Sequence, residues 1–173
     1  MKNWIFFVFI SVAIGFVNEW AKLNVNFQLY CHDIFENWEQ FSIEEKQKLI
    51  SEMSSVKEAG YYNQPEEWAF LLVLGRNQLT YLKWLIPLFF SLLFFTIEYF
   101  MVPLLFNNLH IQRKHVIQYY AMVFAAVFLF FGLYYFLSWP PLLSISRKVW
   151  TLLQGPSLFI LLLFYQKILK YVK

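Results

Sequence analysis

Leu85–Phe106 reads LIPLFFSLLFFTIEYFMVPLLF, an apolar run interrupted by a single carboxyl, Glu98. At about 1.5 Å per residue, a helix of this length crosses the roughly 30 Å hydrocarbon layer of a bilayer unaided. Of the 11 acidic residues in the chain, all but Glu98 lie between Glu19 and Glu67. A polar insert from about Asn18 to Thr80 is thus set into a lipid-compatible polypeptide. Composition agrees: the 173 residues are 60% hydrophobic, 23% aromatic and only 14% charged, with a mean hydropathy of +0.48. Soluble domains carry about a quarter charged residues.

Working outward, the run Trp4–Val17 follows Lys2 and resembles a signal-peptide core. Asn18, Glu19, Trp20 and Lys22 stand where a small-residue cleavage site is required, so it reads as an uncleaved signal anchor reaching about Leu23. Further apolar runs cover about Val116–Leu137 and Val149–Tyr165. The expectation is an all-α integral membrane protein: four transmembrane helices, with a small helical extracytoplasmic domain between the first two. In residues, the anchor is 1–23, the outer segment 24–80, span two 81–107 and a cytoplasmic turn 108–115. Span three is then 116–138, an outer turn 139–148, span four 149–166 and a tail 167–173.

Short basic flanks set the expected orientation. Lys2, the pair Arg113 and Lys114, and the series Lys167, Lys170 and Lys173 put both termini in the cytoplasm of a bacterial inner membrane. Arg147 and Lys148, in the outer turn, run against that rule. Within the outer segment, Ser42 and Glu45 have capping-box spacing, and Ile43, Leu49, Ile50, Met53 and Val56 follow a helical period to Gly60. A shorter helix is expected over Asp33–Gln40, and a third from Pro65, with Glu66 and Glu67 at its positive end. Trp68, Phe70, Leu71, Leu72 and Leu74 exceed what so small a domain buries. That third helix is therefore expected to lie against the bilayer or to lead into span two.

Several function classes are disfavoured at this level. Cys31 is the only cysteine, so no internal disulfide forms, and no Cys/His pair has zinc-ligand spacing. No metal, cofactor or catalytic residue is assigned. The basic residues sit at the ends of apolar runs, where they read as topology determinants, so the expected partners are lipids and other integral membrane subunits or further copies of the same chain in a homo-oligomer, not nucleic acid.

Polar residues inside the spans are the candidate sites. Insertion of a charged carboxylate at Glu98 costs about 2.5–3.5 kcal/mol, so it must be protonated or paired. Ser91 and Pro87 share its face, which marks that face as meeting other helices. Glu98 is either a proton or ion site, or an interhelical hydrogen bond that fixes the packing. Gln118, Ala121, Ala125 and Gly132 form a small-residue stripe on span three, and Ser11 and Gly15 a shorter one on span one. These stripes suit packing within the bundle or docking of another subunit. Gln154–Gly155–Pro156–Ser157 interrupts span four as a proline kink or as a break lining a solute site. His110 and His115 read as solvated loop residues, and the trio Cys31, His32 and Asp33 lacks an oxyanion motif. Arg147 lies too shallow to meet Glu98. It is expected to snorkel to headgroups, with Trp139 and Trp150 marking the same interface.

This plan resembles that of small four-span proteins encoded with exosortases in Bacteroidota, the exosortase F-associated family. The likeness is one of layout and composition over Trp68–Tyr165, including an arginine before a last span that contains Gln154, Pro156 and a Leu/Phe run. The long acidic segment Phe35–Glu67 departs from it. The resemblance implies an accessory role beside a protein-processing or export machine and brings no catalytic residue with it. Three readings follow: a non-catalytic accessory or assembly subunit, an oligomeric ion or proton conductor using Glu98, and, last, a membrane-embedded enzyme.

Overall fold

A computed structural model describes residues 2–54 and 69–172, and every regular element among them is helical. In chain order these are α1 (Lys2–Ile34), a 3-10 turn at Trp38–Gln40, α2 (Ile43–Ser54), and a second 3-10 turn at Ala69–Val73. Then come α3 (Arg76–Leu105), a third 3-10 turn at Asn107–Leu109, α4 (Arg113–Leu137), α5 (Pro140–Leu153) and α6 (Ser157–Val172). Among the described residues, α1, α3 and α4 are long and apolar enough to cross a membrane. The pair α5 and α6 passes the same test together but is bent by 78°. The chain is thus an all-α membrane protein. It divides into two compact units, Phe16–Ile86 and a second made of Met1–Gly15 with Pro87–Lys173.

In the unit Phe16–Ile86, α1 does not end near Leu23 but runs unbroken to Ile34. Neither glycine nor proline interrupts it after Gly15, and Ala21, Val25, Phe27, Gln28 and Cys31 are buried along it. The short helix expected over Asp33–Gln40 is replaced by the end of α1, a left-handed Asn37 (φ 61°) and a 3-10 turn. The α2 start conforms to its capping signal. The Ser42 N–H donates to Glu45 Oε2 (2.8 Å), and the Glu45 N–H donates back to Ser42 Oγ (3.2 Å). Ile50 packs in a core with Phe27, Cys31, Trp38 and Leu72.

Leu71 and Leu72 are each about 1% exposed, so they belong to this unit's interior and are not lipid-facing. The long α1 supplies the wall that buries them, with Val25 beside Leu71 and Phe27 beside Leu72. Phe70 is exposed, while Val56, Gly60 and the helix expected from Pro65 through Trp68 lie outside the described residues. Side chains also cap the start of α3: Glu39 Oε1 accepts the Arg76 N–H (2.9 Å) and Gln78 Oε1 accepts the Gly75 N–H (3.0 Å). A Cβ at Gly75 would stand 3.1 Å from that Glu39 oxygen, which is why glycine suits the position. The Arg76 guanidinium pairs with Asp33 at 2.6 Å.

Among the described residues of this unit, one lysine is buried. Lys46 is 5% exposed, donates from Nζ to the Leu72 carbonyl at 2.8 Å and lies 5.6 Å from the centre of the Trp38 ring. Its position one turn before Ile50 puts it on the apolar face of α2, where the alkyl stem packs and the ammonium must find an acceptor.

In the other unit, α4 and α5 form an antiparallel pair. Ser146 Oγ donates to the Val127 carbonyl (3.1 Å) and Tyr119 Oη donates to Ser157 Oγ (2.7 Å), so partners rise on one strand of the pair as they fall on the other. The turn expected at 139–148 is shorter than that. Ser138 takes the left-handed conformation (φ 49°), and Pro140 already opens α5, a position where proline's fixed φ favours helix. The core is largely aromatic, with Phe7, Phe106, Tyr120 and Phe159 packed around Val102, Val116 and Leu153.

Candidate functional site

The Glu98 side chain, with 0% exposure, is the most buried polar one among the described residues of its unit. It is presented by α3 from between Phe94 and Val102, both fully buried one turn away on either side. Each of its oxygens accepts a hydrogen bond from a different helix. Tyr120 Oη on α4 donates to Oε2 (3.0 Å), and the backbone N–H of Phe159, in the first turn of α6, donates to Oε1 (2.9 Å).

That second bond depends on the break. The first N–H groups of any helix lack intrahelical partners, and in the apolar interior an unpaired one is costly. The chain bends by 78° between α5 and α6, across Gln154–Gly155–Pro156, and so exposes such groups inside the bundle. Glu98 supplies the missing acceptor and places negative charge density at the helix's positive end. Gln154–Gly155–Pro156 with Ser157 therefore make more than a proline kink: they create the donor that Glu98 satisfies.

The neighbouring polar contacts follow the same seam. Tyr119 bonds Ser157 at the start of α6, and Trp150 Nε1 on α5 donates to Ser91 Oγ (3.3 Å), which donates to the Pro87 carbonyl (2.8 Å). Ser91 and Glu98 thus do share a helix-facing side of α3, one tied to α5 and the other to α4 and α6. Gln154 is buried, with Oε1 lacking a hydrogen-bond partner among the described residues, as does Ser11 Oγ on α1. The ion pairs among the described residues, Lys22–Glu19, Arg76–Asp33 and the looser His32–Glu39, do not involve Glu98.

Other expected residues fall elsewhere. Gln118, Ala121 and Ala125 are exposed on α4, and a Cβ at Gly132 or Gly15 would meet nothing within 4 Å. Among the described residues, Gln118, Ala121 and Ala125 are therefore left uncovered. Trp139 and Arg147 are exposed, consistent with an interfacial setting, whereas Trp150 is half-buried against Ser91, about midway along α3, and is a packing residue. His115 is no loop residue: it lies in the first turn of α4, where its Nδ1 accepts the Gln112 N–H (2.9 Å) in a capping box. His110 does lie in the turn, with φ 53°. In the Cys31–His32–Asp33 trio, Cys31 is buried in the core while Asp33 faces out to Arg76, so the three do not converge.

Tyr119 and Tyr120, whose hydroxyls bond Ser157 and Glu98, were not among the expected site residues. Their only signal was a tandem of polar tips in an otherwise apolar span. Set against known proteins, the chain matches no family model, no curated protein and no solved structure.

Proposed function

We propose that this protein is a non-catalytic accessory or assembly subunit of a bacterial inner-membrane complex, acting in protein processing or export. In this reading it crosses the membrane four times, α5 carrying most of the last crossing. Both termini are cytoplasmic and the acidic segment faces outward. The observation that carries the subunit reading is the uncovered stripe Gln118, Ala121 and Ala125 on α4. Small residues let a second helix approach closely, and an exposed glutamine amide in lipid calls for a hydrogen-bonding partner. The acidic outer segment adds a second, polar surface for the same complex. By contrast, both Glu98 oxygens are already engaged within the chain, which suits a structural bond.

Co-purification tests this. Tagged protein extracted in mild detergent should bring down an integral membrane partner, and Ala121→Leu with Ala125→Leu should release that partner while the monomer stays folded. Migration of the wild-type chain alone as a monomer would remove the reading.

A second reading, oligomeric proton or ion conduction through Glu98, draws on the placement of a carboxyl at a helix break, as at membrane solute sites. Reconstituted Glu98→Gln protein should then lose flux while staying folded. Unchanged flux eliminates it.

A further inference from the structure

We propose that α6 lies in the plane of the bilayer, within the leaflet on the side of the α3–α4 turn, with lipid acyl chains around its apolar faces and Lys167 at anionic headgroups. Four observations within one unit lead there. First, α4 is long enough to cross the membrane and α5 runs antiparallel against it, so α5 follows the same direction through the bilayer. A 78° turn from that direction leaves α6 only about 12° from the membrane plane if α5 stands along the normal.

Second, the depth of the break is fixed by its partners. Ser157 is bonded to Tyr119, which lies six residues inside the start of α4 at Arg113, or about 9 Å along the helix. The 14 residues of α5 rise about 21 Å. Together these distances account for the roughly 30 Å of a hydrocarbon core, so α5 covers all of it but about the last 9 Å, and the break lies within one leaflet at the depth where in-plane amphipathic helices sit. Third, α6 is anchored at its first turn. Leu158 and Phe159 are buried, Phe159 against Trp4, Phe7 and Phe106, whereas Ile160, Leu161, Phe164, Tyr165 and Ile168 are exposed.

Fourth, the exposed surface matches lipid in kind. Ile160, Leu163 and Phe164 line a shallow groove of about 480 Å³ that ends at Lys167 and Gln166. The spacing i, i+3, i+4, i+7 makes it one stripe of the helix, apolar along an acyl chain and cationic where a headgroup phosphate would sit. Lys170 and Lys173 follow in the sequence and extend the basic character toward the terminus. Glu98 acquires a clear role in this arrangement: it is the clamp that holds the first turn of the in-plane helix. The inference is independent of the subunit proposal, since a lone monomer has the same helix.

Depth measurement decides it. Nitroxide labels are placed one at a time at Leu161→Cys, Phe164→Cys and Ile168→Cys, and their immersion is read by collision with oxygen and a polar nickel chelate. The protein is held in vesicles of phosphatidylcholine with phosphatidylglycerol. Cys31 has 0% exposure, so the parent chain serves as the label-free control, and Cys31→Ser replaces it if the parent labels. Residues 161 and 168 are about 10 Å apart along the helix, so an in-plane α6 gives a depth difference of about 2 Å and a perpendicular crossing about 10 Å. A difference below about 5 Å supports the proposal, and one above about 5 Å overturns it. Gly155→Ala and Pro156→Ala in the same chain should straighten the bend and increase the difference if the break sets the geometry. A wild-type chain already at the larger value refutes the proposal whatever those variants do.

Discussion

Among the described residues, each unit buries one carboxyl or ammonium side chain, and each resolves it at the end of a helical segment. Glu98 accepts the Phe159 N–H at the start of α6, whereas Lys46 donates to the Leu72 carbonyl near the end of a 3-10 turn. The signs match the peptide dipoles, with anion at the amino end and cation at the carboxyl end. The two solutions differ in what they tie together. Glu98 is a short, stiff group whose two oxygens join three helices. Lys46 is a long stem with one hydrogen bond and an aromatic face. A carboxyl held by two separate elements is a cross-link, but an ammonium reaching one carbonyl is an anchor whose stem packs like any apolar chain.

This difference ranks the expected effects of substitution. Glu98→Ala strands both Tyr120 Oη and the Phe159 N–H, at about 1–3 kcal/mol for each abandoned donor. It should give the largest drop in thermal unfolding temperature in detergent, with Glu98→Gln intermediate because its amide carbonyl still accepts one donor. A loss below about 1 kcal/mol would mean that the carboxyl is not a cross-link.

Next in size, Lys46→Met keeps the stem and leaves the Leu72 carbonyl without its partner, for about 1–2 kcal/mol. Urea or thermal unfolding that ranks it above Glu98→Ala would reverse the comparison. Tyr120→Phe removes one of two donors to Glu98 and should cost about 1 kcal/mol alone. Added to Glu98→Ala it should cost almost nothing further, because the two share one interaction, and full additivity in that cycle would show that they do not.

The smallest effect sharpens the comparison at an exposed helix end. At α2, the Ser42 N–H and hydroxyl hold the Glu45 carboxyl below its usual value near 4.5. A carboxyl whose folded value is depressed stabilises the fold above the ordinary value and loses that contribution as pH falls through the folded one. Glu45→Gln should therefore flatten the decline in helicity during acid titration. An unchanged titration curve would show that the cap contributes nothing to stability.

Much of this was legible in the residues. Long apolar runs mark α3 and α4 because a helix in lipid must be apolar over its whole length, and the Ser42–Glu45 spacing marks the start of α2 because capping is local. What was missed has a common cause. The extension of α1 to Ile34, the burial of Leu71 and Leu72 and the inward turn of Lys46 all depend on which segment lies opposite, and hydropathy carries no information about that. The sequence did flag Gln154–Ser157 as a break and Glu98 as a costly carboxyl, but as two separate oddities.

Sequence alone therefore determined the solvent in which this chain lives and the sites where it must break a rule, since both follow from the transfer cost of each residue in turn. Only the tertiary structure decided that the two broken rules answer each other. An unpaired N–H at a bend and an unpaired acceptor 61 residues away can be matched only by packing that brings α3, α4 and α6 together.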